Sequence, residues 1–150
     1  MTTTDPLPAG RLPAVLYVCG HGHSGVLHYQ AHGLQWARRG YACLIVDTTE
    51  QHDNPGEHHG LYYGLHDEWI SLGYSGAGGE LWNSLRGLDV LCALPEVDPA
   101  RIGATGISGG GAHSLFVGLA DDRVRAVATA CGVALSPWTL AHRHLLNHCD

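Results

Sequence analysis

The sequence holds two glycine-rich segments and a large complement of histidine, and these carry the chemistry it can offer. The segment Gly106-Ile107-Ser108-Gly109-Gly110 centres a serine between glycines. Where such a segment joins a strand to a helix, the turn forces the serine into a strained backbone conformation, and bulky flanking residues would clash. Ser108 Oγ then stands at the carboxyl end of the strand, near the amino end of the helix. From there it can attack an acyl carbon, and the backbone N–H of Gly109 can hold the oxygen on which charge develops.

The second segment is Gly20-His21-Gly22-His23-Ser24-Gly25, with Asp47 placed 22 residues after Gly25. It admits two readings. As G-x-G-x-x-G it matches a dinucleotide-binding turn, in which Gly20, Gly22 and Gly25 admit a pyrophosphate and Asp47 binds a ribose. As a His-Gly loop after an early strand it supplies the second oxyanion donor, the N–H of His23, with His21 and Gly22 lining the substrate pocket. The second reading uses both glycine segments, whereas the first leaves Ser108 unexplained. Bulky histidines at both variable positions also fit a pyrophosphate poorly. Ester hydrolysis is therefore the preferred expectation, with the NAD(P)-type dinucleotide domain as the alternative.

Histidine numbers 12. His144 and His148 have the i,i+4 spacing that can serve one ion, and His21/His23 and His58/His59 are close pairs. No H-E-x-x-H occurs, and spacing places no third ligand beside any pair. The histidines are read as pocket and loop residues, and neither a metal nor a cofactor is expected. His113, five residues past Ser108, is expected to face the core or solvent.

These residues need elements to position them. Four short apolar runs, Ala14–Cys19, Ala42–Val46, Arg101–Thr105 and Arg125–Cys131, read as buried strands. Runs apolar on both faces suit a parallel sheet covered by helices. Helical patterns lie between them. Val26–Arg39 ends at Gly40; Gly79–Leu94 carries Leu81, Leu85, Leu88, Leu91 and Cys92 at three- and four-residue steps and stops before Pro95; Gly110–Ala120 follows the third strand. The alternation predicts a doubly wound, mainly parallel α/β sheet in a single domain. A 31-residue insert, Thr48 to Gly78, has no clear period but is rich in aromatics and glycine. A connection this long is usually functional, and its aromatics predict an ordered pocket wall.

Composition narrows the function. The chain has 150 residues, 45% of them apolar and 15% charged, with a formal net charge of −6. All eight basic residues are arginine, and they are scattered. A nucleic-acid groove or anionic membrane surface needs clustered positive charge, and a P-loop needs a lysine. The expected partner is a small-molecule ester, with no nucleic acid and no membrane. The five cysteines form no C-x-x-C, which favours reduced thiols, and no signal peptide is visible. The cytoplasm is the default compartment.

Glu80-Leu-Trp82-Asn83, Arg86-Gly-Leu-Asp89, Pro95-Glu-Val-Asp-Pro-Ala-Arg101-Ile-Gly and Thr105-Gly-Ile-Ser108-Gly-Gly-Gly111 resemble the central part of α/β-hydrolase serine esterases. The nearest likeness is to acetyl-xylan-esterase and prolyl-oligopeptidase-like (dienelactone-hydrolase-like) hydrolases. It covers about Pro13 to Asp150. The resemblance implies a Ser–acid–His triad in that chain order and an acetylated carbohydrate as a possible substrate. It also implies that Ser108 is the nucleophile, Gly109 and His23 are the oxyanion donors, and His148 is a pocket residue.

It further implies more strands on both sides than these 150 residues provide. The acid and histidine would then lie outside the chain, and the chain alone would turn over esters slowly or not at all. Exposed sheet edges would favour self-association. Asp121 and Asp122 belong to the far end of the helix that starts at Ser108, roughly 18 Å away at 1.5 Å per residue, and cannot serve as the triad acid. Glu80 and Arg86 are expected to make structural pairs across helix turns or to neighbouring loops. Asp47 is expected to order the insert by accepting from its backbone N–H groups.

Overall fold

Alternate residues of the first strand face opposite ways, and each set is buried. In β1 (Leu12–Val18), Ala14, Leu16 and Val18 pack into one apolar cluster, while Tyr17 and the following Cys19 pack into another. That two-sided burial is what a parallel sheet between helical layers requires. The computed structural model describes residues 10–22, 25–51, 53–60 and 64–132. Along them run β1, α1 (Gly25–Ala37), β2 (Ala42–Val46), α2 (Asp67–Leu72), α3 (Gly76–Ala93), β3 (Val97–Ile107), α4 (Gly109–Ala120) and β4 (Val124–Ala130).

All pairings in the sheet are parallel and the strand order is β2-β1-β3-β4. β1 lies in register with β2 from Ala14 opposite Ala42 to Val18 opposite Val46. On the other side, Ala14 to Val18 face Ile102 to Gly106 of β3. The larger cluster joins the even-numbered β1 residues to Leu88 and Leu91 of α3, Ile102 and Ala104 of β3 and Val117 of α4. The smaller cluster, on the opposite face, joins Tyr17 and Cys19 to Tyr29 of α1. Helices therefore cover both faces, as the doubly wound reading expects. The β4 residues 125–130 are exposed, and β2 and β4 are the outer strands among the described residues.

Element boundaries differ from the sequence reading in informative places. β3 begins at Val97, four residues before the apolar run, and Val97 pairs with Leu12 across a register shift. The polar stretch Asp98–Arg101 hid this start; the Arg101 guanidinium holds the Asp98 carboxylate at 2.7 Å there. β1 and β4 each end one residue earlier than expected, at Val18 and Ala130. α1 begins at Gly25 and ends at Ala37, and α3 starts three residues early, at Gly76. Ser75 caps α3: its side chain accepts from the Gly78 N–H at 3.1 Å. Among its described residues the insert contains one short helix, α2, closed by Gly73 in the left-handed region.

A buried carboxylate–imidazole hydrogen bond ties α3 to α4. Glu80 and His113 are 4% and 1% exposed, and Glu80 Oε2 lies 2.7 Å from His113 Nε2. The other carboxylate oxygen accepts the Thr49 backbone N–H at 2.9 Å. Glu80 thus anchors both the elbow helix and the start of the insert. Arg86 pairs instead with Asp89 at 2.7 Å and stacks over Trp82. Removing one member of a buried hydrogen-bonded pair strands the other, at a cost of about 1–3 kcal/mol. Glu80→Ala is expected to lower unfolding stability by that order in urea titration, while Glu96→Ala on the exposed loop before β3 is expected to change it by under about 0.5 kcal/mol.

Candidate active site

The sheet turns its chain direction between β1 and β3. From β1 the chain moves outward to β2, and from β3 it moves outward to β4 on the other side. In open α/β sheets such a switch leaves a crevice beyond the carboxyl ends of the two central strands, and ligands bind there. His21 and Gly22 follow β1, and Ser108 and Gly109 follow β3, so both glycine segments converge on this crevice.

Ser108 lies between β3 and α4 with φ 56° and ψ −120°. A non-glycine residue in this region is strained, and the surroundings hold it there. The Ser108 N–H donates to the Ala130 carbonyl at the end of β4 (2.8 Å), and its own carbonyl accepts from the Ala112 N–H (3.1 Å). The small residues after it are sterically required. A side chain at Gly110 would collide with the Val18 carbonyl oxygen and crowd the Cys19 carbonyl, so α4 can pass over the end of β1 only with glycine there. Gly109 is buried in the first turn of α4, where backbone N–H groups lack intrahelical partners and point outward from the helix end.

Across the crevice, the Gly22 N–H donates to Gln51 Oε1 at 3.0 Å, which fixes the His-Gly loop to the insert. His21 leans over the elbow: an atom built at Cβ of Gly109 would touch the His21 ring. His21 also stacks on His58, with ring centroids 4.7 Å apart, and on His59 at 5.9 Å. The ligand-capable nitrogens of these three histidines all lie within 4.8 Å of one another. Spacing alone gave no third ligand to the His58/His59 pair. The fold supplies one, because the loop after β1 and the insert after β2 meet at the same sheet edge. His58 Nδ1 is 2.9 Å from Glu50 Oε2, and His58 is buried.

Other expectations change. Glu80 ties down the insert through Thr49, and the Asp47 backbone carbonyl accepts from Asn54 Nδ2 at 3.4 Å. Asp47 lies against Cys19, whose thiol is pushed up to about 12 by burial first and by the Asp47 carboxylate second. Gly20 is explained by packing as well, since a side chain there would collide with the Ile107 carbonyl of β3. The glycine at position 20 is thus accounted for by the close approach of β1 and β3. His113 faces the core, on Glu80. Asp121 pairs with Arg123, which also reaches Asp89, and the Arg123 guanidinium holds the Asp121 carboxyl below its usual range. His23, His142, His144, His148 and Asp150 lie outside the described residues.

The sequence reading also missed His66 as an organiser of the insert. It sits between Glu68 Oε1 (3.0 Å) and Glu57 Oε2 (2.9 Å) and stacks on Trp69. Its two carboxylate hydrogen bonds, Glu68 first, raise its pKa. A raised value stabilises the protonated folded form. The contribution is full below the ordinary imidazole value and is lost as pH rises through the elevated one. The His66 ring resonances are expected to titrate above the ordinary value in NMR, and Glu57→Gln with Glu68→Gln should return the midpoint to it. A midpoint unmoved by the double substitution would contradict this arrangement. At the elbow, Gly110→Ala is expected to destabilise by about 1–3 kcal/mol or more by overpacking against β1, read as a fall in urea midpoint.

Comparison with known proteins agrees with this geometry. The sequence matches the acetyl xylan esterase (AXE1) family over residues 3–138. Among solved structures, an acetyl xylan esterase from Paenibacillus sp. R4 is 26% identical, with a TM-score of 0.58 over 79% of this chain and 38% of its own. Acetyl xylan esterase 1 from Thermoanaerobacterium sp. JW/SL YS485 is 24% identical, with a TM-score of 0.59 over 83% of this chain and 40% of its own. A putative acetyl xylan esterase from Bacteroides fragilis NCTC 9343 is 19% identical, with a TM-score of 0.64 over 82% of this chain and 38% of its own. The last two likenesses bear on the fold. The chain spans well under half the length of these structures. No curated protein matches the sequence. With the match covering most of its length, the chain belongs to the acetyl xylan esterase (AXE1) family and has the α/β-hydrolase fold in part.

Proposed function

We propose that the protein is a carboxylic ester hydrolase that works through an acyl-enzyme on Ser108. The observation that carries this reading is Ser108 itself, held at φ 56° between β3 and α4 at the switch point of the sheet. Family membership supports it independently.

In the proposed reaction Ser108 Oγ adds to the ester carbonyl carbon and gives its proton to a histidine base. The carbonyl oxygen becomes an oxyanion held by the N–H groups of Gly109 and His23. The carbon–oxygen bond to the alcohol then breaks, and the alcohol leaves with the proton. Water attacks the acyl-serine by the same route in reverse. The base and its acid are assigned to residues outside those described. Backbone donors aimed at an oxyanion are worth far more in a water-excluded site than in water, and losing one such donor typically costs about 10²–10³ in rate.

The substrates proposed are small acyl esters, with acetylated carbohydrate first among them. His21 and Gly22 would form the near wall of the pocket, and His148 a further part. The insert, ordered by His66, Trp69 and Gln51, would supply the outer wall.

A fluorophosphonate probe with intact-mass readout tests the nucleophile. One adduct is expected, absent in Ser108→Ala, and p-nitrophenyl acetate turnover in that variant should fall at least about a thousandfold where the full triad is present. An adduct that survives Ser108→Ala, or no adduct on the folded full-length protein, would remove Ser108 from the mechanism.

A further inference from the structure

We propose that His21, His58 and His59 form a binding site for a divalent transition metal, with Zn²⁺ the best chemical match, beside the elbow that carries Ser108. Three imidazoles from two separate loops bring their nitrogens within 4.8 Å of one another. Imidazole is a borderline donor suited to zinc, copper, cobalt and nickel rather than to magnesium or calcium. A tetrahedral zinc with bonds of about 2.0–2.1 Å places its ligand nitrogens about 3.3 Å apart, so the site closes by small ring rotations.

His58 supplies the second observation. Its Nδ1 faces a carboxylate oxygen of Glu50 at 2.9 Å. A carboxylate accepts and does not donate, so Nδ1 carries the hydrogen and Nε2 is left as the lone-pair nitrogen of the neutral ring. That Nε2 is buried and has no hydrogen-bond partner among the described residues. Leaving such a group unmatched is unfavourable, and a metal ion bound at its lone pair removes the deficit. Glu50 in turn occupies the left-handed region, φ 64°, while its carboxylate also receives the His58 backbone N–H (3.4 Å). A carboxylate that orients a histidine from behind is the recurrent outer shell of zinc sites.

Location gives the site its interest. His21 rests against Gly109, so an ion on His21 would lie next to the crevice in which the ester reading places its oxyanion. Three protein ligands leave a coordination position for water or a substrate oxygen. The inference concerns binding and stands apart from the ester reading, because its test reads metal content and spectra with no turnover.

The test uses tag-free protein loaded with Zn²⁺ and dialysed against metal-free buffer, with metal measured by mass spectrometry. About one equivalent per chain is expected to remain. His58→Ala and His59→Ala should each lose it, Glu50→Gln should weaken affinity by about 10–100-fold, and His28→Ala on the exposed face of α1 should retain it. A second measurement on the unaltered protein covers variants that do not fold. Co²⁺ should give tetrahedral ligand-field bands, and Zn²⁺ should shift the ring signals of His21, His58 and His59 together in NMR. Sub-stoichiometric zinc, or zinc that shifts other histidines and leaves these three unmoved, would overturn the proposal.

Discussion

The Glu80 carboxylate is the contact on which the active edge depends most. It is buried in α3, at 4% exposure. A lone carboxylate in that position would be several kcal/mol unfavourable, so its partners must be held in place whenever the domain is folded. One oxygen meets His113 on α4, the helix whose first turn follows Ser108. The other meets the backbone of Thr49, next to Glu50 in the insert. The same side chain therefore sets the elbow helix and the loop bearing the Glu50–His58 pair relative to α3. Desolvation makes the arrangement a near all-or-none condition: losing either partner exposes the charge to an environment that cannot solvate it.

Steric necessity acts on the same edge from the backbone side. β1 and β3 are neighbours, and α4 must cross the end of β1 immediately after the turn at Ser108. Gly110 and Gly20 are the points where carbonyls of the opposing segment come too close for a side chain. The constraint is local in sequence on each side, which is why it leaves a motif. The Glu80–His113 contact is non-local, joining residues on different helices, and leaves none.

This difference explains what could be read in advance. The elbow, the parallel sheet and both helical layers were legible, because strand–turn–helix punctuation and apolar periodicity are written within a few residues. The early start of β3 was hidden by the polar stretch Asp98–Arg101, whose apolar neighbour Val97 is a single residue. α2 was missed because six residues with Ile70 and Leu72 exposed show no buried face. Its acidic first turn, Asp67-Glu68, and the stop at Gly73 were the available signals. The spacing of Gly20, Gly22, Gly25 and Asp47 fits more than one fold. Two different folds need glycine at a β1–α1 turn, and the packing of Gly20 against the Ile107 carbonyl is visible only in space.

The histidines illustrate the same limit from the side of chemistry. Pairs such as His58-His59 are visible in sequence, but a ligand set is a property of space. The loop after β1 and the insert after β2 emerge from adjacent parallel strands whose carboxyl ends share one edge. Two neighbouring strands must deliver their following loops to the same side, so a donor in one loop has a short path to donors in the other whatever their separation in sequence. Parallel topology therefore makes His21 a natural neighbour of His58 and His59. The same topology brings Ser108, at the end of the next strand, into their company. The placement of Ser108 and of the histidine cluster thus follows from one geometric cause, the common direction of β1, β2 and β3.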